Sequence, residues 1–192
     1  MSDQETERRF LSLLGEYLVS LPFDLKVLQE AVADPDLDRQ ARELAAGAIV
    51  HTLLPQDGES PFCYIDDALI VRGALSQVLE QGGEGASAVR QRFPDVFGSL
   101  EESVAVFSQQ LGPTWTWLTG KIAGFPKLQF KGRRAGQYVD DNESQAALYD
   151  EGLEFETNYT VTEQQVSNRL RRIEQVTELL TRKRADEAKK IG

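Results

Sequence analysis

Between Leu44 and Leu79 the chain places its only His, its only Cys and three of its aspartates in one short interval: His51, Asp57, Cys63, Asp66 and Asp67. An imidazole, a thiol and carboxylates are the donors that zinc accepts, so His51, Asp57, Asp66 and Asp67 form a candidate metal or acid–base set. The competing reading is structural. Asp66 and Asp67 open an apolar run, and carboxylates in the first turn of a helix are stabilised by its dipole and can cap it without any ligand. Cys63 has acidic neighbours, which raise a thiol's pKa and work against a nucleophilic role. The acids lack the alternating pattern of a calcium loop. Gly82 to Gly85 lacks the Lys-Ser or Lys-Thr of a phosphate loop, and His51 has no partner motif for a Ser-His-Asp triad. No motif therefore assigns a catalytic residue or demands a cofactor. Zinc is the metal the donors suit.

Two helical segments must position these groups. One runs from about Arg39 to Leu54, rich in small residues, and Pro55 ends it; the other runs from about Tyr64 to Gln81. Packed antiparallel, they bring His51 and the Asp66–Asp67 pair to one elbow. The elbow is carried by Ala48, Leu54, Pro55, Asp57, Pro61, Tyr64, Ile65, Asp66, Asp67, Ala68 and Leu69. In that order these residues resemble the YkvA-like domain-of-unknown-function family, over roughly residues 44–79. The chain departs from the family in its Gly58-Glu59-Ser60-Pro61 bridge, where an Ile-Pro-Asp run is usual, and at His51, where an aromatic is common. The resemblance implies a small helical hairpin module, in a family often found beside or within membrane-associated proteins, and no activity.

The rest of the chain reads as mainly α. The division expected is a helical domain over 1–125, a connector over 126–160 and a C-terminal amphipathic helix with a basic tail over 161–192. Ser2 with Glu5 fits a capping box, followed by a stripe from Phe10 to Leu21. Pro22 restarts a helix with Phe23, Val27, Leu28 and Val32 on one face. Val104, Phe107, Leu111, Trp115, Leu118, Ile122 and Phe125 step by three or four across Gly112-Pro113, which predicts a kinked helix or two helices end to end. Leu153, Phe155, Thr157, Tyr159 and Val161 alternate like a strand, so 126–160 is expected as an irregular loop or a small β-ribbon that includes Leu128–Phe130. Thr160 with Glu163 suggests another capping box. Val166, Leu170, Ile173, Thr177 and Leu180 then form a narrow stripe.

Charge is unevenly spread. The net charge is −10. Residues 121–134 hold five bases and no acid, while residues 135–160 hold seven acids and no base. The acidic body disfavours nucleic acid, since phosphate repels it. No apolar run approaches the ~20 residues of a membrane span. A polar N-terminus and a single Cys favour a reducing compartment, the cytoplasm. The expected function is a non-enzymatic protein–protein interaction module, an adaptor or scaffold component. It would associate with itself or a partner through 161–190, with Trp117, Val166, Leu170, Ile173 and Leu180 at the contact. Two alternatives stand beside it. One is a metal-binding protein or enzyme at the elbow. The other is a peripheral membrane protein using Trp117 and the basic block over 117–134.

Overall fold

The computed structural model describes residues 3–191, with the side chains of Asp3, Lys190 and Ile191 left aside; Ser2 of the expected capping box lies outside this range. The protein is mainly α. Helix α1 spans Asp3–Ala33, α2 Arg39–Leu53 and α3 Ile65–Gln81, and these three pack on one another to form the centre. Three short helices, α4 (Ala86–Arg92), α5 (Pro94–Phe97) and α6 (Leu100–Leu111), lead to α7 (Pro113–Gly120) and a 3-10 turn over Ile122–Lys127.

Helix α1 runs through Pro22 instead of restarting at it. Proline has no N–H, so the carbonyl four residues back, that of Leu18, loses its helical donor. The Tyr159 hydroxyl donates to that carbonyl. A side chain 137 positions downstream of Pro22 thus repairs the helix. Phe23 does not join Val27, Leu28 and Val32 in the core: it is 46% exposed while they are buried. One residue further on, Asp24 takes the buried position.

The stripe from Val104 to Phe125 behaves as its spacing predicts. It is carried by α6, α7 and the 3-10 turn over Ile122–Lys127, with Gly112 at φ +48 between the two helices and Pro113 opening α7. Phe107, Leu111, Trp115, Leu118, Ile122 and Phe125 are all buried.

The connector differs from the strand-like expectation. Strands β1 (Gln129–Phe130) and β2 (Arg133–Arg134) form a local hairpin, with Lys131 and Gly132 both at positive φ as a two-residue turn of matching twist requires. Of the segment with strand-like alternation, Leu153, Phe155 and Thr157 lie instead in the last turns of α8 (Asn142–Asn158), and Tyr159 and Val161 follow its end. Asp141 caps α8, its carboxylate accepting from the Ser144 N–H at 2.7 Å. Leu148, Gly152, Phe155 and Tyr159 recur at helical spacing and face inward, which wins over the alternation because α8 packs along α1.

The C-terminal stretch is not one long helix. Helix α9 (Glu163–Arg169) and α10 (Ile173–Ile191) are separated by Leu170-Arg171-Arg172. The capping box at its start uses Thr162 and Gln165, two residues later than Thr160 and Glu163. Val166, Leu170 and Leu180 are buried against the chain's own core, as is Val176, and Ile173 is half-buried there. The seam expected to reach outward is therefore covered in cis. Buried residues between Ala135 and Leu180 join the same core cluster as those of 1–125.

Candidate functional site

The elbow is built where α2 meets α3. Leu54 and Pro55 leave α2, an exposed bridge passes through Asp57 and a cis Ser60–Pro61 bond, and a 3-10 turn over Phe62–Tyr64 delivers the chain into α3. His51 lies in the last turn of α2, and Asp66 and Asp67 in the first turn of α3. Antiparallel packing does bring them together: His51 Nε2 stands 3.6 Å from Asp67 Oδ1. That is beyond a formed hydrogen bond.

His51 is held by its ring. It stacks on Phe125 with centroids 4.8 Å apart and planes 18° apart. One turn earlier, Gly47 lets the 122–127 turn come this close, because a Cβ at 47 would sit 2.5 Å from the Phe125 backbone.

Asp67 is fully buried, and neither of its oxygens has a hydrogen-bond partner; His51 Nε2 also has none. Burial pushes the Asp67 carboxyl well above the usual carboxylate range, with the neighbouring Asp66 adding to the effect and Lys183 and Lys121 opposing it. Burial pushes His51 down to about 4. Burial thus favours the neutral form of both groups, a carboxylic acid facing an imidazole. Asp66 points the other way, where the Lys183 ammonium of α10 donates to it and to the Cys63 carbonyl at 3.4 Å. Glu187, one turn along α10, pairs with Lys121, whose ammonium lies 4.0 Å from the centroid of the Trp117 ring. Arg169 of α9 donates to the Ser60 carbonyl and to Glu59. The C-terminal helices therefore lie over the elbow, fastened by basic side chains.

Several expectations change here. Neither Asp66 nor Asp67 caps α3: the N-cap position is Tyr64 and no side chain bonds there, although both acids do sit in the first turn. Asp57 is exposed on the bridge. Among the described residues no group of three or more His, Cys, Asp and Glu side chains is placed to hold a metal ion, so the His51/Asp57/Asp66/Asp67 set is not brought together as ligands. Cys63 is buried, and its thiol is pushed up by that burial. Trp117 is half-buried beneath Lys121. In the basic block, Lys131 pairs with Glu151 and Arg133 donates to Ser144, so much of its charge is spent within the chain. No helix among the described residues is long and apolar enough to cross a membrane.

A second buried polar group went unread in the sequence. Arg72 of α3 brings Nη2 to 2.7 Å from both oxygens of Asp24, donates from Nη1 to the Val96 carbonyl, and lies 3.6 Å from the centroid of the Tyr17 ring. Burial raises Asp24 to about 6, with Arg72 pulling it back down. A single acid inside the apolar run of α1 was the available signal.

The surface offers something different. The large apolar side chains left exposed among the described residues are Phe23, Tyr149 and Leu153, all on α1 or α8. A cavity of about 340 Å³ opens between these helices beside Val32, Ala33, Ala146 and Tyr149. A second, of about 480 Å³, lies further along α1 against α9, beside Leu11, Gly15, Val19 and Val166. Leu11, Gly15, Val19 and Phe23 are spaced four apart and so line one face of α1. Comparison with family models, with curated proteins and with solved structures finds no match to this chain.

Proposed function

We propose that the chain is a non-enzymatic protein–protein interaction module, an adaptor or scaffold component, whose docking face is the outer surface of α1 and α8. The observation that carries this reading is that the large apolar side chains left exposed among the described residues, Phe23, Tyr149 and Leu153, all lie on two helices that pack on each other. Charge defines the partner. Glu143, Asp150 and Glu154 lie beside the Tyr149–Leu153 stripe of α8, and Glu156 lies on it. Among the described residues the only acid of α8 in an ion pair is Glu151, with Lys131. Lys26 is the base of α1 that lies between Phe23 and Gln29 in sequence. The occupant this face suits is an amphipathic helix of another protein, apolar on one side and flanked by Lys or Arg. The likeness of residues 44–79 to YkvA-like domains contributes a helical hairpin to this reading and no activity.

The test uses a designed 18-residue Leu/Lys amphipathic peptide and its Leu/Glu counterpart with the same apolar pattern. Calorimetric titration is expected to show binding of the Leu/Lys peptide only. Amide shifts are expected to map to α1 and α8, and Phe23→Ser with Leu153→Ser should weaken binding at least tenfold. Equal binding by the double variant, or shifts confined to other faces, refutes the reading.

A further inference from the structure

No helix-breaking residue marks the break between α9 and α10. From Leu153 to Ile191 there is no Gly and no Pro, and Arg169-Leu170-Arg171-Arg172-Ile173 consists mostly of good helix formers. Val166, Leu170, Ile173, Thr177 and Leu180 keep four-three-four-three spacing straight across the break, which is one face of an uninterrupted helix.

One side chain holds the bend. Gln175 Nε2 donates to the Arg169 carbonyl at 3.0 Å, and Gln175 Oε1 accepts from the N–H groups of Arg171 and Arg172 at 2.8 and 3.0 Å. In a continuous helix those two N–H groups would donate to the Ser167 and Asn168 carbonyls instead. The segment therefore has two satisfied backbone solutions, bent and straight.

The two helices are anchored separately. Val166 of α9 sits against Gly15, where its Cγ1 would be 3.1 Å from an added Cβ, and Arg169 holds the elbow bridge. Helix α10 is fastened by the buried Val176 and Leu180, by Lys183 on Asp66, by Glu187 on Lys121, and at its start by the Ile173 N–H to Glu7 at 3.4 Å.

We propose that residues 163–191 straighten into one helix and that α10 then docks on the elbow of a second copy, giving a reciprocal, exchanged dimer. The straight helix would be roughly 43 Å long at 1.5 Å per residue, which carries α10 clear of its own elbow. The occupant is a second copy because every contact α10 makes in cis is offered unchanged by an identical chain. Exchange of an identical element is the low-cost route to a dimer, and a hinge with two backbone solutions is what it needs. This association is independent of the α1–α8 face.

The test uses the full chain with charges exchanged. In Asp66→Lys and in Lys183→Glu, like charges meet at the elbow both in cis and in any dimer of one variant. Mixed, each α10 meets an opposite charge only on the other copy. Light scattering is expected to show dimer in the mixture at tenfold or more the level of either variant alone. Circular dichroism on each variant reports folding.

Two hinge variants give a second readout. Gln175→Ala removes the side chain that holds the bend and should raise the dimer association constant about tenfold. Arg171→Pro should abolish the dimer. Leu170 already has φ −94 and ψ 95, the extended conformation that a following proline favours, whereas a straight helix excludes proline there. A mixture that stays monomeric refutes the exchange. If the charge variants do not fold, a Gln175→Ala protein no more dimeric than Arg171→Pro refutes it.

Discussion

The polar interior and the outer face of α1–α8 divide the molecule's chemistry between them. Inside, two aspartates are shut away from water on neighbouring helices, and they are treated differently. Asp24 has a guanidinium against both oxygens, while Asp67 has only an imidazole at 3.6 Å and no hydrogen bond. Outside, the large apolar side chains left exposed among the described residues sit on α1 and α8, and α8 adds acids that, among the described residues, form no ion pair apart from Glu151. The residues that look most chemical in the sequence hold the structure together from within. The residues proposed to meet another molecule are ordinary ones whose position makes them available. Substitutions inside should therefore move stability, and substitutions on the outer face should move binding.

The largest effect is expected at Arg72. Arg72→Met leaves Asp24 buried without its partner and should cost about 3–5 kcal/mol in urea unfolding, because breaking a buried pair strands a charge. Adding Asp24→Leu to that variant should recover much of the loss. If Arg72→Met costs under about 1 kcal/mol, the pair is not what stabilises this part of the core.

Asp67 should behave in the opposite way. Its folded pKa lies above the unfolded 3.8, so its contribution is fully present below that value and is lost as pH rises through the folded value. His51 has a folded value of about 4 against 6.5 unfolded, so its contribution is fully present above 6.5 and is lost as pH falls toward 4. Asp67→Asn keeps the shape and removes the alkaline loss. It should be more stable than wild type at pH 8 by about 1 kcal/mol or more, with the gap narrowing as pH falls toward 3.8. Thermal unfolding across this range checks this; a variant less stable than wild type at pH 8 contradicts a raised Asp67 pKa.

A smaller effect is expected at Tyr159. Tyr159→Phe removes the donor to the carbonyl that Pro22 leaves free and should cost about 1 kcal/mol. Restoring the missing N–H with Pro22→Ala should make the Tyr159→Phe change nearly silent, and a double-mutant cycle measures that coupling. The smallest effect belongs to the outer face. Phe23→Ser and Leu153→Ser should each cost less than about 1 kcal/mol of unfolding free energy, well below the loss at a fully buried position, since the two residues are already 46% and 41% exposed.

Much of the interior was legible because local signals agreed. Small residues and Pro55 bounded α2, Asp66 and Asp67 marked the first turn of α3, and antiparallel packing then had to bring His51 near Asp67. What decided the rest lies far away in sequence. Lys183 reaches Asp66 from 117 positions downstream. Tyr159 rescues Pro22, and α8 forms against an alternating pattern because α1 offers it a surface. Phe23 fits the same helical period as the core, so only the packing of α1 shows that it faces outward. The bend at 170–172 was illegible for a related reason: Gln175 and tertiary contacts hold it, and no breaker residue announces it.

The most direct measurement is the affinity of the Leu/Lys amphipathic peptide for wild type, for Phe23→Ser/Leu153→Ser and for Asp67→Asn, each confirmed as folded by circular dichroism. The account predicts that the outer-face variant loses at least tenfold in affinity with its stability intact, while Asp67→Asn binds as wild type does. Equal affinity for wild type and the outer-face variant, with loss in Asp67→Asn, would contradict it and move the binding surface to the elbow.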